Sequence, residues 1–276
     1  MTRNDLLSAS IWTVMLLFLG VVIFPFYWMV NTSFKPLIEV FQSPPAFYPS
    51  HWTFAGYTSV WATRLLARYF LNSTVISFGS TFLAMILSAL AAYGFSRFRL
   101  RWEQSLILVL LLTQMLPGTL LIIPYFQLMA RLHLINSYLS LILAYVSFAL
   151  PFSTWMLVGF FRSIPLELDE AAMVDGCSRV SAFWRVILPL SLPGLVAVGI
   201  FTFLLAWNAY VFALVLTTDP KMFPLSVGIA NMLGEYQVAW NEMMAAAVLA
   251  TLPVFVLYGF LERYLVQGIT AGAVKG

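Results

Sequence analysis

Charge is scarce in this sequence: 14 Lys and Arg and 11 Asp and Glu make up 9% of its 276 residues, against 62% hydrophobic. So large an apolar excess is more than a soluble domain of this length could bury, which excludes a water-soluble enzyme and points to an integral membrane protein. Cysteine is nearly absent as well. Cys177 stands alone, so no disulfide framework is possible. The 2 histidines, His51 and His133, lie far apart and unaccompanied, which leaves no cluster of metal ligands. None of the three lysines, Lys35, Lys221 and Lys275, sits in a Gly-x-x-x-x-Gly-Lys-Ser/Thr setting that could cradle nucleotide phosphates. The chain therefore reads as no enzyme, without a nucleotide site or a cofactor of its own. A net charge of +3, scattered through loops, excludes nucleic acid as a partner.

What is present is a series of six apolar segments, at about 9–31, 70–95, 105–128, 138–161, 190–217 and 243–262. Each is near the roughly 20 residues needed to cross a bilayer, and all read as helices, because an open sheet could not satisfy its backbone in lipid. The fold class is thus an all-α integral membrane protein with six transmembrane helices in one domain. Arg3 precedes the first segment as in a signal peptide, but the run is too long and lacks a small-residue cleavage site, so it reads as a retained span. An even count puts both termini on one side. Arg3, Arg97, Arg99, Arg101, Arg162, Arg179, Arg185, Arg263 and Lys275 share that side, nine of the fourteen basic residues, and the short loop "SRFRLRWE" concentrates them. The rule that basic loops stay inside assigns this face to the cytoplasm. Loops 32–69, 129–137 and 218–242 are then external, the first carrying the Pro-, Gly- and aromatic-rich "SPPAFYPSHWTFAGY".

Between their ends the spans contain no Asp, Glu, Lys, Arg or His. Proton- or sodium-coupled carriers, voltage sensors and membrane-embedded hydrolases need such groups at membrane depth, so a secondary transporter or channel remains only the alternative reading. Polar character falls instead to neutral groups: Asn72, Ser73, Ser77, Ser80 and Ser88, Gln114, Trp207 and Asn208. Pro117-Gly118, Pro124 and Pro151 are expected to bend their helices. The serine faces read as close-packing surfaces.

The stretch most unlike its surroundings is "ELDEAAMVDGCSRVSAFWRVILP", Glu167 to Pro189. Ser163 and Pro165 mark the expected start of a helix, Glu167, Asp169 and Glu170 place negative charge in its first turns, and Gly176 ends it. Val180, Phe183, Trp184 and Ile187 then recur at helical spacing, opposite Ser178, Arg179, Ser181 and Arg185, before Leu188-Pro189 turns the chain into the next apolar segment. This is a cytoplasmic helix–turn–helix over 163–189. A chain that moves solute uphill without ionisable spans or a nucleotide site must receive its energy from a partner, and this element is the exposed place to receive it.

Glu170-Ala171-Ala172, three residues, Gly176, nine residues, the aliphatic Val186, one residue and Leu188-Pro189 resemble the EAA loop of permease subunits of binding-protein-dependent ABC importers. Val186 stands where Ile is usual, and Cys177 follows Gly176 where a small residue is common. "TQMLPGTLLIIPYFQLMARLHLINSYLSLILAY" from Thr113, "WNAYVFALVL" from Trp207 and "VQGITAGAVKG" from Val266 resemble the carbohydrate-uptake branch, permeases similar to the smaller membrane subunit of the maltose importer. His133 occupies a position where that branch usually has Gly, and only the first external loop is poorly matched.

The resemblance implies the MetI-like fold of type I ABC importer permeases in a bacterial inner membrane, with both termini and the tail 263–276 cytoplasmic. It implies a second homologous permease, two ATPase subunits that carry ATP and Mg, an external solute-binding protein, surrounding lipid, and a sugar or oligosaccharide as substrate. A polyol or a glycerol phosphate ester is the alternative substrate. The coupling residues would be Glu170, Ala171, Ala172, Asp175, Gly176, Leu188 and Pro189, with Ala171, Ala172 and Gly176 allowing close approach and Glu167, Asp169 and Glu170 facing basic groups of the ATPase. Sugars are held by aromatic faces and by amide and hydroxyl groups, which makes Gln114, Tyr125, Trp207, Asn208 and Tyr210 the candidates for the substrate path.

Overall fold

The computed structural model describes the backbone of residues 3–98, 101–234 and 238–273, with side chains for residue 8 and for 10–98, 101–234 and 238–262. Arg99 and Lys275, and the side chains of Arg3, Arg263 and the rest of the tail 263–276, thus lie outside the described residues. The regular elements of the described residues are all helices, without strands. Apart from single turns at Leu37–Val40, Pro220–Met222 and Met232–Gly234, the helices in chain order are α1 (Arg3–Ser33), α2 (Ala55–Ala62), α3 (Leu66–Arg97), α4 (Glu103–Met115), α5 (Gly118–Arg131), α6 (Tyr138–Ser163), α7 (Glu167–Val174), α8 (Arg179–Leu190), α9 (Leu192–Trp207), α10 (Val211–Leu216), α11 (Leu225–Asn231) and α12 (Trp240–Ala273). α1, α3, α6 and α12 each contain a stretch long and apolar enough to cross a bilayer alone, and two bent pairs, α4 with α5 and α8 with α9, raise the total to six.

The third and fifth apolar segments, expected as single spans, are broken. α4 and α5 meet at 87°. Leu116 is extended at ψ 124° before Pro117, as a residue preceding proline must be, and 3-10 turns at Thr113–Met115 and Gly118–Leu121 flank the break. α8 and α9 meet at 78° around Ser191. α9 then stops at Trp207, and residues 208–210 are unwound before α10. Ser226 Oγ donates to the Ala209 carbonyl (2.7 Å), which satisfies backbone that the unwinding frees. α6, by contrast, runs unbroken through Pro151.

The chain forms two compact units, one of residues 1–67 and 228–252, the other of 68–227 and 253–276. In the first, most of α1 is exposed: the 18-residue apolar window within Ser10–Ser33 has none of its residues buried. The chain beyond α1 is pinned by polar contacts. Glu39 accepts from the Ser50 N–H (2.8 Å), Lys35 donates to the Ala46 carbonyl and lies 4.9 Å from the Trp28 ring centre, and Arg64 pairs with Glu242 (3.1 Å). Burial pushes the Lys35 ammonium below its ordinary range, and the Ser50 N–H holds the Glu39 carboxyl below the usual carboxylate range. Trp28, Lys35, Glu39, Phe41, Trp240 and Met244 are among the residues lining an open pocket of about 320 Å3.

Among its described residues the second unit has two large buried clusters and a smaller one of Ala84, Val146 and Ala149. One large cluster joins Ala89, Ala92 and Tyr93 of α3, Leu157, Val158 and Phe161 of α6, Phe183 and Ile187 of α8, and Leu195 and Val198 of α9. The other gathers Ile76, Met129, Leu141, Ala144, Tyr145, Ala206, Ala213, Leu216 and Val227. Lipid tails are as apolar as leucine, so helices associate there by close packing between small residues. At Gly194 of α9 a Cβ would come within 2.5 Å of the Phe160 ring of α6, so these helices meet at a distance only glycine permits. Polar ties finish the unit: the buried Asn72 amide donates to the Lys221 and Phe223 carbonyls (both 2.9 Å) and accepts from Tyr138, and Ser73 accepts from the Leu225 N–H (2.8 Å).

Candidate functional site

α7 begins at Glu167, with three acidic residues in its first turn. Ser163 does not cap it, as the sequence suggests; it ends α6, and its hydroxyl donates to the Phe160 carbonyl (2.7 Å). The other end follows the expected chemistry. Gly176 has φ +88°, its N–H donates to Met173 O (3.1 Å), and the Cys177 N–H donates to Ala172 O (2.9 Å), a Schellman ending whose left-handed residue is glycine. A Cβ added at Gly176 meets no atom of this chain within 4 Å, so the glycine is required by its backbone angle and the space beside it is open.

Ser178 caps α8 by accepting from the Ser181 N–H (3.2 Å). Near its end α8 carries a π turn over Phe183–Ile187, in which the Leu188 N–H reaches Phe183 O. Pro189 follows with no N–H to offer, and the widened turn absorbs the missing bond. Leu188 is half-buried and Pro189 exposed. The Ser191 hydroxyl and N–H both bond the Ile187 carbonyl (2.8 and 3.0 Å) where the chain bends into α9.

One face of this element is turned outward. Glu167, Glu170, Ala171, Asp175 and Gly176 are exposed, together with apolar side chains that a lone soluble surface would hide: Val174 is 87% exposed, Val180 67% and Trp184 50%. The amphipathic stripe expected of α8 is therefore divided, with Phe183 and Ile187 in the core and Val180 and Trp184 outside. Two sequence expectations need correction. Ala172 is buried inside this chain and offers no close approach to a partner. Asp169 is 6% exposed and turns inward to an ion pair with Arg97 (2.8 Å), so its charge is spent within the chain and does not face a partner's basic groups.

That ion pair is the element's attachment to the membrane helices. Tyr93 of α3 donates to Asp169 Oδ1 (3.1 Å), its ring lies 4.8 Å from that of Phe183, and the Arg97 guanidinium donates to the Phe161 and Ile164 carbonyls at the end of α6 (2.9 and 3.2 Å). Sequence reading misses this set because Arg97 lies in a basic loop cluster that counts toward topology, and Asp169 looks like one of three equivalent acidic residues. The spacing does hold a signal. Asp169 and Ala172 are three residues apart on one helical face, while Glu167, Glu170 and Asp175 fall off it.

The five candidates for a substrate path do not form one cluster. Gln114, exposed beside the α4–α5 break, donates from Nε2 to the Phe148 carbonyl (2.7 Å). Tyr125 lies edge-on to Phe212 (5.6 Å), which lies 5.0 Å from Phe148, so these two candidates share one aromatic group with α10. Asn208 and Tyr210 are exposed in the unwound stretch, the Asn208 amide turned back to Leu204 O (2.9 Å). Trp207 is corrected to a packing residue: it is 5% exposed, stacked on Phe203 (5.3 Å) and edge-on to Phe70 (5.6 Å).

Residues 4–271 match the family described as binding-protein-dependent transport system inner membrane component. A sulfoquinovosyl glycerol transport system permease protein of Agrobacterium fabrum is 36% identical over 254 residues, which cover 92% of this chain and 89% of the relative. A trehalose/maltose transport system permease protein of Thermococcus litoralis is 36% identical over 257 residues, 92% of each chain. Among solved structures, a chain of a bacterial ABC transporter involved in the import of the acidic polysaccharide alginate superposes with a TM-score of 0.83 at 21% identity, over 96% of this chain and 98% of that one. At that identity the likeness speaks for the fold.

Proposed function

Because the chain belongs to the inner membrane components of binding-protein-dependent transport systems, we propose that it is the permease subunit of an importer that takes up a sugar or oligosaccharide. It forms the path together with a second, homologous permease. Two ATPase subunits, holding ATP and Mg, supply the energy from the cytoplasmic face, an external solute-binding protein delivers the substrate, and both termini lie in the cytoplasm. The chain itself carries out no chemical step. The relatives named for sugar-containing solutes support the substrate class, with a polyol or glycerol phosphate ester as the alternative.

The observation that carries this reading is the α7–α8 element, whose outer face displays Val174, Val180 and Trp184 between the exposed Glu170 and Arg185 while its inner face is tied into α3 and α6. Apolar side chains framed by charge suit a protein partner in water. In this role Glu170, Ala171, Asp175 and Gly176 sit in a groove of the ATPase, and Leu188 and Pro189 carry the displacement into α9. Gln114, Tyr125, Asn208 and Tyr210 are proposed for the path.

The test is to tag the chain, express it with its neighbouring genes, extract it in mild detergent and ask what co-purifies. A second permease and an ATPase with measurable ATP hydrolysis are expected, with the ATPase lost and uptake abolished on Gly176→Asp. A chain that assembles only with itself and transports without ATP would return the reading to a channel or secondary carrier.

A further inference from the structure

We infer that Arg97 is the positioning residue through which displacement of α7 is delivered to α3 and α6 together, an inference that rests on the permease reading above. Arg97 is the last residue of α3, and its guanidinium reaches three partners, two through hydrogen bonds and one through a charge contact. Nε meets the Asp169 carboxylate of α7 (2.8 Å), Nη1 donates to Phe161 O (2.9 Å) and Nη2 to Ile164 O (3.2 Å). Its side chain is 3% exposed and that of Asp169 9%, so the junction is dry. From one turn earlier on α3, Tyr93 donates to Asp169 Oδ1 (3.1 Å) and lies 3.4 Å from the Arg179 carbonyl at the start of α8. Four helices meet on one guanidinium and one phenol.

The chemistry explains why this joint is stiff. A guanidinium is planar, always charged and presents its donors as a rigid fork, whereas an ammonium would offer a point charge on a flexible stem. Two of the donors satisfy carbonyls at the α6 C-terminus, where a cation also opposes the negative end of the helix dipole. Sliding α7 away from α3 would strand a carboxylate and a guanidinium without water, so separating the helices costs more than moving them as a body. Glu167 and Glu170 cannot serve in this way, because both are exposed. The outward half of α7 is free to meet a partner while its inward half grips the membrane helices.

The experiment uses the complete importer reconstituted in vesicles and measures assembly, basal ATP hydrolysis and solute uptake per ATP hydrolysed. Arg97→Lys keeps the charge and loses the fork. Arg97→Met with Asp169→Leu removes both charges while filling the space, a change that buried ion pairs often tolerate in stability. For both variants the expected result is assembly and basal hydrolysis within about twofold of wild type and uptake per ATP reduced about tenfold, a size typical of coupling between sites. Wild-type uptake per ATP in the double variant would overturn the inference, and so would a loss of uptake that only tracks a loss of assembled complex in both. A wild-type preparation without an ATPase would instead overturn the permease reading itself, which keeps the two failures apart.

Discussion

Along α1, residues 10–27 are all exposed and none of them is charged, whereas the α7–α8 element exposes Val174, Val180 and Trp184 among Glu170, Asp175, Arg179 and Arg185. The same chemical fact, apolar side chains without cover, has different meanings in the two places. Around α1 the uniform apolar surface suits hydrocarbon or another membrane helix. On α7–α8 the apolar residues are islands in a charged surface, which in water is stable only against a shaped protein partner. The inner sides differ as well: α7 is fastened by a buried ion pair to α3 of its own unit, whereas the apolar window of α1 has none of its residues buried.

The comparison breaks most sharply at Gly176. Aspartate is among the few residues that tolerate a left-handed backbone, and a side chain there meets nothing in this chain, so Gly176→Asp should cost the fold only about 1–2 kcal/mol. Uptake is nevertheless expected to vanish, because the new carboxylate occupies the space a partner would fill; normal uptake with normal membrane levels would remove the docking role. Next comes Trp184→Ala. Truncating an exposed aromatic on a docking face typically weakens association by about 2 kcal/mol, which ATPase retention during purification would register. The smallest effect belongs to a second helix end. His133 at φ +56° closes α5 in the same manner as Gly176 closes α7, with His133 N–H to Ala130 O (3.1 Å) and Leu134 N–H to Met129 O (2.9 Å), yet it carries a side chain. His133→Gly should relieve about 0.5–1 kcal/mol and raise the unfolding temperature in detergent without altering uptake.

Much of this was legible in the residues. The apolar segments, the Pro117 break, the helix end at Gly176 and the spaced loop pattern all depend on local chemistry: run length, a missing N–H, a left-handed angle. What was not legible depends on which way a residue faces. Asp169 and Glu170 are adjacent acidic residues, and only the packing of α7 on α3 decides that one is an internal anchor and the other is exposed. Trp207 matched the chemistry of a sugar platform, but Phe203 and Phe70 enclose it. The turn expected at Leu188-Pro189 is found two residues on, at Ser191, where α8 bends into α9. His133 could be noticed as a departure from glycine, but the strain it carries becomes visible only in the backbone angle.

What the outer face of α7–α8 touches decides where energy enters, and cysteine cross-linking reads that directly. In a Cys177→Ala background, which removes the chain's only native thiol, Val174→Cys and Phe18→Cys would each be treated with a short bifunctional reagent in membranes from cells expressing the complete importer. Val174→Cys is predicted to cross-link to the ATPase, and Phe18→Cys, on α1, is not. Failure of Val174→Cys to capture the ATPase in membranes that still hydrolyse ATP and take up solute would contradict the claim that energy enters through this element.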